Sequence, residues 1–188
     1  AWNRDASYGL MEKLQVAPGQ RIARMSCGQR SQVALGLILA QNADLLVLDD
    51  FSMGLDPGYR RLFVDYLRDF AKAEGKTVFL TSHIIQDMER LIDDCIIMDY
   101  GRILVQQPVA ELLATFRRYT FPAADDAALP QGDGIYHPAV WKGRGELYSF
   151  ASPDEIRNRL TQAGIACGEL RWETLNLEDA FIGLTGKY

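Results

Sequence analysis

Leu45-Leu46-Val47-Leu48-Asp49-Asp50 decides the reading of this chain, because four consecutive apolar residues run without polar alternation into two carboxylates. Such a run predicts a strand buried on both faces of a parallel sheet. Full burial of its four side chains would contribute about 6–12 kcal/mol gross, at about 1.5–3 kcal/mol each. In open α/β sheets the carboxyl ends of the strands face the ligand crevice, which puts Asp49 and Asp50 where phosphate chemistry is done. There one carboxylate can hold Mg2+ while its neighbour orients an attacking water. For the dipeptide alone, two acids capping a strand at a surface turn is the simpler reading. The flanking segments decide between the two.

Upstream, Val33, Leu35, Leu37, Ile38 and Leu39 follow the small polar cluster at Ser26-Cys27-Gly28, which predicts a helix over 26–40 with its N-terminus at Ser26 and Gly28. Downstream, Asp56-Pro57 reads as an N-cap with proline at the first helical position. Leu62, Phe63, Tyr66, Leu67 and Phe70 then recur at helical spacing up to a stop at Gly75. Thr77-Val78-Phe79-Leu80 predicts a second buried strand. After Ser82-His83, a helix carrying Ile84, Ile85, Met88, Leu91 and Ile92 leads to a strand over 95–98. Strands alternating with helices predict an α/β domain with a parallel sheet.

Tyr100-Gly101 predicts a turn into a strand at Ile103-Leu104-Val105, and 108–116 a short amphipathic helix. From Pro122 to Gly134 the chain is rich in Pro, Gly, Ala and Asp, as a link is. Two strands flanking Lys142-Gly143-Arg144-Gly145 then predict a hairpin. A helix capped at Ser152-Pro153-Asp154, a strand around Leu170-Arg171-Trp172 and a helix from Leu177 to Leu184 complete a small α+β unit. The expected domains are therefore 1–118 and 119–188.

Composition narrows the function. The 188 residues are 48% hydrophobic and 24% charged, with 20 Lys and Arg against 25 Asp and Glu, so no bulk positive field for nucleic acid is present. The most apolar stretch, Val33 to Ala40, is far short of the roughly 20 residues a membrane span needs. No signal-peptide pattern opens at Ala1-Trp2-Asn3-Arg4, which predicts a cytoplasmic protein. Cys27, Cys95 and Cys167 are widely spaced and odd in number, which argues against a disulfide framework; reduced, buried thiols are expected at Cys95 and Cys167.

Met25-Ser26-Cys27-Gly28-Gln29 precedes the acidic strand by one helix length, Met53-Gly54-Leu55-Asp56-Pro57 follows it, and Thr81-Ser82-His83 ends the next strand. This ordered set resembles the ATP-binding subunits of ABC transporters, with their LSGGQ signature, Walker B strand, D-loop and switch histidine. The likeness is close over 25–116 and weaker toward both ends, and the segments 2–23 and 87–105 resemble the exporter-type branch. It implies the fold of the C-terminal part of a P-loop NTPase domain followed by an accessory unit, with ATP and Mg2+ as cofactors. It implies Asp49 as the Mg2+ ligand, and Asp50 as the general base or water-orienting carboxylate. His83 would contact the γ-phosphate and the attacking water. Ser26, Cys27, Gly28 and Gln29 would meet the γ-phosphate bound by the opposite subunit, through a hydroxyl and helix N-terminal donors. Asp56 would couple the two sites across a head-to-tail dimer. A separate integral membrane permease is the implied partner, with this chain peripheral on the inner face of the cell membrane and export its direction.

Two residues depart from that pattern. Asp50 stands where the family usually has Glu, about 1.5 Å shorter in reach, and about 1 Å of misplacement costs on the order of a hundredfold in rate. Cys27 stands where the signature usually has Gly, at a strain of roughly 1–3 kcal/mol if the site needs positive φ or close backbone approach. Phe51-Ser52 also replaces the usual Pro-Thr pair, read as a drift in packing. A degenerate subunit that clamps ATP for regulation or assembly with little hydrolysis is the alternative. A chromosome-structure or repair ATPase fits poorly without a heptad run or basic surface. His137 is expected to be a surface or packing residue, and Trp2, Trp141 and Trp172 core or interface aromatics. Gly186-Lys187 lacks the spacer and final Ser/Thr of a phosphate loop. GxxxxGK[ST] occurs nowhere in the chain, so the sequence reads as the later part of an ATPase subunit, inactive by itself.

Overall fold

The computed structural model describes residues 2–13, 17, 19–166 and 168–186. Contacts divide the chain into two units, Ala1–Leu91 and Ile92–Tyr188.

In the first unit, α1 (Arg4–Lys13) lies against α2 (Cys27–Ala40), separated by a 3-10 turn at Ile22–Arg24. Their approach depends on Gly36, where a Cβ would fall 2.8 Å from Met11 Cε. Asn3 N–H donates to the Ala40 carbonyl at 2.8 Å and joins the two helices end to end. Ser26 caps α2 as expected, accepting from Gln29 N–H at 3.2 Å while Gln29 Oε1 accepts from Ser26 N–H at 3.1 Å, a reciprocal capping box.

The acidic strand is β1 (Leu45–Asp49), and it pairs in parallel with β2 (Thr77–Thr81) in the register Leu45↔Thr77 to Asp49↔Thr81. Its expected burial on both faces is corrected. Leu46 and Leu48 are 3% exposed each, but Leu45 is 54% and Val47 64% exposed, and Phe79 on the same face of β2 is 54% exposed. Among the described residues only one face of this pair is covered, so the gross burial term is about 3–6 kcal/mol, half the expectation. Between the strands runs α3 (Pro57–Glu74), whose buried Phe63, Val64, Leu67 and Phe70 form one helical stripe. Its ends follow the sequence signals. Asp56 accepts from Gly58 N–H at 3.0 Å and Tyr59 N–H at 3.2 Å, and Gly75 closes the helix at φ +62°.

The helix expected after His83 is a single turn, α4 (Ile85–Met88). The strand after it, β3 (Asp94–Asp99), is also corrected as a member of the parallel sheet, since it pairs antiparallel with β4 (Arg102–Pro108). Tyr100 at φ +44° and Gly101 at φ +75° reverse the chain in two residues, so β4 takes the pairing edge immediately. The buried Cys95 thiol donates to the Gln107 carbonyl at 3.5 Å, and burial pushes its pKa up, helped by neighbouring Asp94. Cys167 and Lys187 lie outside the described residues, as does the side chain of Cys27.

After α5 (Val109–Thr115), β5 (Arg117–Pro122) enters a four-stranded antiparallel sheet with β6 (Tyr136–Trp141), β7 (Arg144–Ser149) and β8 (Arg171–Thr174), in the order β6-β7-β5-β8. The expected boundary at 118/119 falls inside β5. Tyr119, Phe121 and Leu147 point to one face and are buried with Ile156 and Leu160 of α6 (Pro153–Gln162). Tyr119 hydroxyl donates to the Ala151 carbonyl at 2.6 Å, so the buried ring carries no orphan polar group. On the opposite face Tyr148 lies 2.5 Å from the Cβ position of Gly183 in α7 (Leu177–Thr185), which only glycine permits. His137 is a packing residue, donating from Nε2 to the Leu184 carbonyl at 3.3 Å. Of the core and interface readings of the tryptophans, the core one is corrected: Trp2, Trp141 and Trp172 are all exposed.

Ser152 caps α6 in a second reciprocal box, its N–H and hydroxyl donating to Glu155, whose carboxyl is held below its ordinary pKa by those bonds. Ser152→Ala should therefore cost about 1 kcal/mol in urea unfolding. Because the folded-state pKa of Glu155 is lowered, its contribution is present above the ordinary carboxylate pKa and lost as pH falls through the lowered value. The stability difference between wild type and Glu155→Gln should shrink over that acid window; a difference constant with pH would contradict it.

Candidate functional site

The carboxyl ends of β1 and β2 gather the acidic pair and the histidine. Asp49 is the last residue of β1, and at Asp50 the chain leaves the strand at φ +44°. That left-handed conformation is one Asp tolerates better than most non-glycine residues, so the shorter acid suits this turn. Asp50 N–H donates to both the carbonyl and the hydroxyl of Thr81, each at 3.1 Å, while the same hydroxyl donates to Asp49 Oδ1.

His83 follows two residues after β2. Its Nδ1 lies 2.8 Å from Asp50 Oδ1, with the imidazole 64% and the carboxylate 29% exposed. An ionised carboxylate only accepts, so Nδ1 is the donor of this bond. The loop is held from both ends. Ser82 hydroxyl accepts from Ile84 N–H at 3.0 Å, and Asp87 of α4 pairs with Arg60 of α3. The turn after Asp50 is anchored by Phe51, whose ring packs 5.2 Å from that of Phe63, and by Ser52, which is 1% exposed.

The signature residues form a neighbouring cluster. Cys27 is the first residue of α2, so its backbone is right-handed helical and the cost conditional on positive φ does not arise. Close approach is required one residue later. A Cβ on Gly28 would lie 3.2 Å from the Gly54 carbonyl oxygen, so this helix start packs on the turn that leads into Asp56. Gln29 is closed onto Ser26 and also accepts from Gln20 Nε2 at 3.2 Å. Asp56 is engaged as the cap of α3. The structure thus brings Asp49, Asp50 and His83 together, sets Ser26, Gly28 and Gln29 on a separate helix terminus, and adds Thr81, to which the sequence assigned no role. Strand register is the signal for it: the last residue of β2 stands opposite Asp49.

Among the described residues, no group of three or more His, Cys, Asp or Glu could hold a metal ion by itself. No helix there is long and apolar enough to cross a membrane.

The chain is similar to several known proteins. Residues 15–86 match the family model described as "AAA domain, putative AbiEii toxin, Type IV TA system". Nod factor export ATP-binding protein I of Rhizobium etli is 29% identical over 180 residues, covering 93% of this chain and 56% of that protein. Its counterpart in Ralstonia nicotianae is 35% identical over 197 residues, covering 95% and 59%. The thiamine import ATP-binding protein ThiQ of Jannaschia sp. is 34% identical over 90 residues, covering 48% of this chain and 39% of its own. The chain thus spans 56–59% of the length of these Nod factor export relatives. In fold, it superposes on an ATP-binding subunit of an ABC transporter with a TM-score of 0.50 at 20% identity, over 60% of this chain and 49% of that one. A "putative Cobalt transport ATP-binding protein" gives 0.52 at 16% identity, over 81% and 54%. These sequence relatives are ABC ATP-binding proteins, and the chain shares the fold of ABC ATPase subunits.

Proposed function

We propose that this chain is the later part of an ATP-binding and ATP-hydrolysing subunit that powers a separate membrane permease, most closely in the manner of an exporter. The observation that carries the reading is the Asp50–His83 hydrogen bond of 2.8 Å beside Asp49, at the carboxyl ends of a parallel strand pair. Asp50 accepts the proton of an attacking water on its carboxylate. His83, fixed by its Nδ1–H, would accept from the attacking water at Nε2 as the neutral ring, and would donate from Nε2 to the γ-phosphate as the doubly protonated ring. The donor set at Asp49 fits Mg2+, which takes one or two protein carboxylates and completes its shell with water and substrate phosphates. When bound, Mg2+ neutralises charge on the β- and γ-phosphates. Ser26, Cys27, Gly28 and Gln29, at the helix start, would serve the nucleotide of a second subunit in a head-to-tail dimer, with Asp56 at the coupling turn. Such a subunit would sit peripherally on the cytoplasmic face of the membrane.

The test is phosphate release and Mg-ATP binding by the full-length protein. Binding without release would favour the degenerate, regulatory subunit. Residues 1–188 alone contain no GxxxxGK[ST] to cradle the β- and γ-phosphates. They are expected to bind Mg-ATP weakly and to show no turnover; saturable hydrolysis by these residues in isolation would contradict that.

A further inference from the structure

We propose that Thr81 is the positioning residue of the acidic pair, its single hydroxyl aiming the Asp49 carboxylate and locking the turn that presents Asp50 to His83. The inference rests on the ATPase reading above. The hydroxyl donates to Asp49 Oδ1 and accepts from Asp50 N–H at 3.1 Å, so one rotamer serves both neighbours. Threonine suits that task because its β-branch stiffens χ1. Strand register supplies the geometry, since Thr81 stands directly opposite Asp49 as the last pair of the parallel ladder. The Asp50 N–H bond to the Thr81 carbonyl, also 3.1 Å, extends that ladder one residue further, into the turn at φ +44°. His83 lies only two residues beyond Thr81, so the same strand end sets both partners of the Asp50–His83 bond.

Thr81→Val keeps the shape and the strand preference while removing donor and acceptor together. Asp49 is then free to rotate, and Asp50 N–H retains only the carbonyl. Thr81→Ser keeps the hydroxyl. The experiment uses the full-length protein and two readouts. One is the Mn2+ concentration that half-saturates binding of a non-hydrolysable ATP analogue; the other is kcat and KM for ATP at saturating metal. Thr81→Val should raise the half-saturating Mn2+ about tenfold and lower kcat about ten- to a hundredfold, the scale of a lost hydrogen bond to a charged group. KM should move less than about threefold, and Thr81→Ser should stay within about threefold of wild type in both readouts, the variant retaining each hydroxyl bond. Wild-type values in Thr81→Val, or equal damage in Thr81→Ser, would overturn the inference. If the wild-type full-length protein neither binds Mg-ATP nor releases phosphate, the ATPase reading itself fails and this inference with it. An inactive Asp50→Asn beside an unaffected Thr81→Val would sink the role of Thr81 alone.

Discussion

His83→Ala and Asp50→Asn should each lower steady-state ATP turnover of the full-length protein by roughly a hundred- to a thousandfold, within the range a positioned acid–base group contributes. Asn is the suitable probe at position 50. It matches Asp in size and tolerates the left-handed backbone of this turn, at φ +44°, so the change removes charge without breaking the turn. His83→Ala removes the Nδ1–H that orients Asp50 together with the rest of the exposed imidazole. Because the two side chains act as one hydrogen-bonded unit, the double variant should be little slower than the worse single one. Phosphate release at saturating Mg-ATP measures this, with nucleotide binding as the control. Equal activity in wild type and both variants would remove these residues from the chemistry.

Phe121→Ala should destabilise the C-terminal unit by about 3–5 kcal/mol, the cost of emptying a large aromatic from a packed core. Phe121 is 2% exposed and sits in the cluster of Tyr119, Leu147, Ile156 and Leu160. Directly across the β5–β7 ladder is Gly145, where a Cβ would fall 2.3 Å from Phe121 Cε2. The ring occupies the space a side chain would need, so Gly145→Ala should cost about 1–3 kcal/mol by overpacking. The two effects should not add. In the Phe121→Ala background the new methyl enters the vacated space, and the double variant should be less destabilised than the sum of the singles. Urea unfolding of the four proteins measures the coupling; strict additivity would show that the ring and the glycine do not compete for one space.

Legibility in the sequence followed how local each signal is. The caps of α2, α3 and α6 were readable because Ser26, Asp56 and Ser152 bond within three residues of themselves. The hairpin turn at Lys142-Gly143 was readable for the same reason: φ +50° and +76° belong to two adjacent residues. β5 was not readable. Arg117–Pro122 ends in proline and has no strong alternation, and it is a strand because β7 and β8 pair with it on either side. The exposed side of Leu45, Val47 and Phe79 was equally hidden, since an apolar run does not say what covers it.

For the site, the order of motifs along the chain marks Asp49, Asp50 and His83. The sequence by itself determined which chemical groups are present and which elements carry them, because helix caps, apolar periodicity and motif spacing are written within a few residues. Only the tertiary structure decided that Asp50 and His83 are hydrogen-bonded at 2.8 Å and that one threonine hydroxyl serves both acids. Those bonds join residues 31 to 33 positions apart, and their geometry is set by the register of two parallel strands with an 18-residue helix between them. No spacing in the sequence encodes that register. It follows from which faces of β1, β2 and α3 can be buried together.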